Sequence, residues 1–168
     1  MTILALLALT LQSLVFSGAS FLSSTSDLGH VVVAGSVSHA NDRDGTAVVS
    51  AANMYPGASR WGDVTLTGGE DVTAGYSVVN LGATDTPDAP GLSAALRLRV
   101  EDVTGAPATP PVLFDDALSA FSTVGLATIA PNEARTFRFT LVWSAAAADP
   151  ALQGAGTTVQ LQFVGVSL

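Results

Sequence analysis

The stretch Ala134-Arg135-Thr136-Phe137-Arg138-Phe139-Thr140-Leu141-Val142-Trp143 decides the fold class. Phe137, Phe139, Leu141 and Trp143 recur every second residue, with Arg138 and Thr140 between them. Period two is the repeat of a strand with one face buried and one face wet. The same alternation runs outward from there. Residues 92–100 set Ala94, Leu96, Leu98 and Val100 against Arg97 and Arg99. Residues 157–166 set Val159, Leu161 and Phe163 against Thr158, Gln160 and Gln162. Shorter runs at 72–80, 63–67, 45–51 and 29–37 bring the expected number of strands to seven or eight.

The punctuation agrees with that reading. Tyr55-Pro56-Gly57 has proline and glycine where a type II turn wants them, and Gly68-Gly69 is suited to reversing a hairpin. Residues 85–91 and 104–111 are proline-rich and read as surface loops, and the alanine-rich 144–156 stretch as one helical turn. Short strands separated by turn signals predict an all-β domain, a jelly-roll or immunoglobulin-like β-sandwich. No internal repeat or linker divides the chain.

An apolar segment precedes the domain. Residues 2–16 read TILALLALTLQSLVF and are followed by Ser17-Gly18-Ala19, small residues where a signal peptidase cuts. The run is short for a membrane span, which needs about 20 apolar residues. Residues 1–19 are therefore expected to be an export segment, and residues 20–168 a single secreted, extracellular domain. No basic residue precedes Arg43, which keeps a second expectation open. Residues 1–22 would then be the apolar helix of a type IV pilin-like subunit, although such pilins carry glutamate at the fifth position and this chain has Ala5.

Composition narrows the partners. Fourteen acidic residues against six arginines give a net charge of −8. That disfavours nucleic acid and anionic membranes, which need a basic surface. No stable membrane span is expected after processing. The chain has no lysine, so lysine isopeptide staples and lysine-directed cross-linking are excluded, and no cysteine, so no disulfide can form. Catalytic patterns are absent: two histidines, His30 and His39, stand outside any zinc, thiol or nucleophile-elbow motif, so no enzyme activity and no cofactor are expected. Asn41, Asp42 and Asp44 surround Arg43 ahead of Gly45 and form a weak calcium candidate, without the spacing or distal glutamate of an EF-hand; the plain alternative is an Asx turn. Asp115-Asp116 and Glu70-Asp71 read as solvated turn residues. Trp61 and Trp143 are candidate ligand platforms, but one large aromatic per sheet is more often core, and both are expected there.

The order of several weak motifs carries a resemblance. Ser17-Gly18-Ala19 leads into Ser20, Phe21, Leu22, Ser23, Ser24, Thr25, Ser26 and Asp27, then Val31-Val32-Val33-Ala34-Gly35-Ser36-Val37. Met54-Tyr55-Pro56-Gly57 leads into the 63–67 strand, and Gln153-Gly154 into the last strand. This order resembles the TasA/camelysin family of secreted filament and biofilm-matrix proteins. Two positions depart from it: the aromatic pair before Ser-Asp is reduced to Phe21-Leu22, and the Asn-x-Gly motif is present only as Asn80-Leu81-Gly82. The resemblance implies a jelly-roll-like sandwich that polymerises by donor-strand exchange, with residues 20–27 of one subunit completing the sheet of the next. The implied partner is the protein itself, as a head-to-tail homopolymer. Camelysin-type members have been described as metalloproteases, but no zinc-ligand constellation here supports that activity. An adhesive or carbohydrate-binding sandwich module is the further alternative, and would show exposed aromatics on one face.

Overall fold

In the computed structural model, which describes residues 37–44, 47–51, 54–86, 88 and 91–168, the deciding stretch is a strand in the middle of a sheet. In chain order the strands are β1 (His39–Asn41), β2 (Ser59–Gly68), β3 (Ala74–Thr86), β4 (Leu96–Asp102), β5 (Val112–Ala117), β6 (Thr123–Ile129), β7 (Ala134–Trp143) and β8 (Gly156–Ser167). They form two antiparallel sheets, one ordered β1-β2-β7-β4-β5 and the other β6-β3-β8. The domain is all-β, and its described residues fall within one compact unit, 34–168.

Strand parity explains the core. Phe137, Phe139, Leu141 and Trp143 of β7 are buried, as are Val64 and Leu66 of β2 and Leu96, Leu98 and Val100 of β4. Tyr76 and Val78 of β3 and Val124, Leu126 and Ile129 of β6 complete the cluster from the second sheet. Trp143 satisfies its indole N–H on the carbonyl of Ala147, 3.1 Å away, so the largest core side chain leaves no orphan donor. No buried polar or charged residue is found among the described residues. Aligned rows of this kind gain most of their stability from apolar area withdrawn from water.

The expected turn at Tyr55-Pro56-Gly57 forms: Ala58 N–H donates to the Tyr55 carbonyl at 2.9 Å, and Gly57 takes φ +89°. Several expectations are corrected. Residues 92–95 are a 3₁₀ turn ahead of β4, and residues 47–51 are not a strand. Gly68-Gly69 does not reverse a hairpin, because β2 and β3 lie in different sheets. The 144–156 stretch holds two 3₁₀ turns, Ala145–Ala147 and Pro150–Leu152. Asp115 and Asp116 sit on β5 and not in a turn. The expected strand at 29–37 lies, but for Val37, outside the described residues. No helix among the described residues is long and apolar enough to cross a membrane.

Candidate functional site

β8 is twelve residues long and pairs with β3 along its whole length, from Ala74↔Ser167 to Thr86↔Gly156. Among the described residues no strand pairs with its other edge. Its sequence, GTTVQLQFVGVS, has no charge and no proline. Edge strands are ordinarily guarded by charge, proline or shortness, and the two edges of the five-stranded sheet follow that rule, whereas β6, the other edge of the three-stranded sheet, is uncharged too but only seven residues long. β1 is three residues long, and β5 carries Asp115 and Asp116 and follows Pro110-Pro111.

The inward residues of β8 are incompletely covered. Val159, Leu161 and Phe163 have the parity of core residues, yet they are only half-buried and pack at the margin of the cluster. They border a cavity of about 490 Å³ whose floor includes Leu98, Leu118, Phe139 and Leu141, all members of the core. Phe163 meets Phe139 edge to face at 6.2 Å between centroids. Thr158 and Gln160, of opposite parity, line the cavity too, so it runs along the edge of β8 and not merely beneath it. The far wall is Val48 and Val49, where the chain crosses β2 so closely that only glycine fits at position 62.

The loop that closes one end of this groove contains the calcium candidate. Asn41 Oδ1 accepts the Arg43 backbone N–H at 2.9 Å, which is an Asx turn, and Asp42 Oδ1 accepts the Thr65 N–H at 2.8 Å. Arg43 Nε donates to the Asp63 carbonyl at 3.1 Å. These bonds tie the loop to β2. Among the described residues no group of three His, Cys, Asp or Glu side chains is placed to hold a metal ion. His39 packs edge to face on Tyr76, whose hydroxyl donates to the Ser38 carbonyl. Burial pushes the Tyr76 hydroxyl above its usual pKa. At the opposite end of β8, Asp85 Oδ1 accepts the Ser93 N–H and Oδ2 the Ser93 hydroxyl, while Thr157 adds a further bond. Burial pushes the Asp85 carboxyl up, but these bonds outweigh it and hold its pKa below the ordinary value.

Residues 1–19, the donor candidates Ser20 to Asp27, and His30 lie outside the described residues. Sequence reasoning pointed to a donor segment but did not locate the groove. It is assembled from β8, β4, β7 and the 47–49 crossing, which no local pattern joins. The two tryptophans divide. Trp143 is core, but Trp61 is 60% exposed on the outer face of β2, which corrects its core assignment. With Val64 and Leu66 inward, position 61 must point out.

No protein-family model and no curated protein matches this chain.

Proposed function

We propose that the protein is a structural subunit of a secreted, extracellular filament, a jelly-roll or immunoglobulin-like sandwich that polymerises by donor-strand exchange. Residues 20–27 of one subunit add as a strand to the free edge of β8 in the next, and their apolar side chains enter the groove. One observation carries this reading: a long, uncharged edge strand backed by a cavity that opens onto the core. An edge of that kind satisfies its N–H and C=O groups by accepting a strand, and the side-chain pockets beneath give the register.

The dimensions agree. The stretch of β8 that lines the groove, residues 157–163, spans about 20 Å, and eight extended donor residues span about 26 Å. Between Asp27 and Val37 the chain can reach about 33 Å, enough to leave its own body and lie on a neighbour. Period two allows Phe21, Ser23, Thr25 and Asp27, or Ser20, Leu22, Ser24 and Ser26, to face the groove, one large apolar anchor in either register. Each subunit gives its N-terminal segment and receives another through a different surface, so the contact is heterologous and propagates.

Negative-stain electron microscopy tests this with a chain beginning at Ser20 and the same chain without residues 20–27. Filaments from the first and none from the second are expected. Filaments that form only when residues 1–19 are present would replace strand exchange with assembly through an apolar helix.

A further inference from the structure

We propose that the outer face of the five-stranded sheet carries a carbohydrate site centred on Trp61, which takes a neutral pyranose ring of an extended polysaccharide. The Arg138 guanidinium carbon lies 4.2 Å from the centroid of the Trp61 ring. Arg138 in turn grips Asp63 with two bonds, Nε to Oδ1 at 2.8 Å and Nη2 to Oδ2 at 2.9 Å. The side chains of Arg138 and Asp63 are 35% and 31% exposed, against 60% for Trp61. The indole is therefore the outermost member of the stack, held from below by a cation and turned toward solvent.

Such a ring is ordered before anything binds, which removes much of the usual cost of fixing a contact side chain. A pyranose matches what surrounds it. Its C–H face is apolar and covers an indole, and its rim of hydroxyls can donate to Asp63 and accept from Arg138. Thr140, directly opposite Trp61 in the register, adds a hydroxyl, and Arg99 follows on β4.

Charge selects among possible occupants. On this face Arg97, Arg99 and Arg138 face Asp63, Glu101 and Asp115, and they pair with one another. The face is locally balanced, while the chain as a whole carries −8. An anionic polymer finds no net positive field here. A neutral polyhydroxylated chain meets no such obstacle. The site lies on the opposite side of the sheet from the groove, so it stands whether or not the protein polymerises.

The test is intrinsic fluorescence of the full chain titrated with cellohexaose, with the hexamer of N-acetylglucosamine, and with polygalacturonate. The chain has two tryptophans and Trp143 is 1% exposed, so an emission shift reports on Trp61. A saturable blue shift is expected with at least one neutral hexamer and none with the anionic polymer. Trp61→Ala should weaken binding, followed by calorimetry, at least about tenfold, Trp61→Tyr should retain part of it, and Arg138→Gln should weaken it several-fold. Circular dichroism confirms that each variant folds. No shift with either neutral hexamer, or unchanged affinity in Trp61→Ala, overturns the proposal. A shift produced by protein concentration alone also overturns it, and assigns the ring to a second copy.

Discussion

Gly62 is an inward position in the middle of β2, and an alanine there would have nowhere to put its methyl group. An ideal Cβ at residue 62 falls 1.8 Å from the Val48 carbonyl oxygen and 2.9 Å from its carbonyl carbon. Both are backbone atoms, so no rotamer change relieves the clash. The 47–49 crossing must retreat by roughly 1.5 Å to reach ordinary contact distance. Overpacking of this kind costs about 1–3 kcal/mol. Val48 and Val49 also wall the groove, so the retreat widens it. Gly125 on β6 supplies the control: a Cβ there meets nothing within 4 Å, and its φ is not positive. Gly125→Ala should be neutral or stabilise by about 0.4–1 kcal/mol through the unfolded chain. Urea unfolding of both variants measures the difference, with the midpoint moving and the slope unchanged. A Gly62→Ala variant as stable as Gly125→Ala would refute the close crossing and, with it, the far wall of the groove.

Other outcomes follow from the same geometry. A double-mutant cycle on Asp63→Asn and Arg138→Gln should give a coupling of about 0.5–1 kcal/mol that shrinks in high salt, because the pair is bidentate but a third exposed. Phe139→Ala should cost about 3–5 kcal/mol, being fully buried, whereas Phe163→Ala on the half-covered edge should cost clearly less when both are measured by urea unfolding of the unassembled subunit. Asp85 ionises more readily in the folded state than its ordinary value of 3.8, so its contribution is present above that pH and is lost as the pH falls through the lower folded value. Acid unfolding followed by circular dichroism should therefore be less steep below about pH 4 in Asp85→Asn, which is expected to be less stable than the native chain at neutral pH.

How much of this was written in the sequence depends on where each strand lies. β7 and β4 sit inside a sheet with one wet face, so their alternation is complete and their parity is legible residue by residue. β8 shows the same alternation, but the sequence does not say that Val159, Leu161 and Phe163 stop half-covered. That depends on which strands lie beside them in the sheet. β5 is an edge whose Asp115 serves arginines across the sheet, 3.3 Å from Arg97, while Asp116 accepts the Ala117 N–H, so its pattern reads as a turn. β6 hides behind Gly125 and a bulge at Tyr76/Ser77 that shifts its register against β3. The alternation legible in the sequence starts at residue 63, whereas β2 starts at Ser59, so Trp61 stands outside the legible pattern. Extending the parity of Val64 and Leu66 by two residues turns it outward. The proposed donor segment follows from chain order, whereas its proposed acceptor needs three dimensions.

Because the chain has no cysteine, intermolecular contact can be read directly by disulfide trapping. One population would carry single cysteines at positions 20–27 in turn, and the other Gln160→Cys on β8. After mixing, assembly and oxidation, mass spectrometry identifies the linked peptides. Strand exchange predicts links between different chains that rise and fall with period two along 20–27. Assembled filaments with no such link, or with links of equal yield at every position of 20–27, would contradict it.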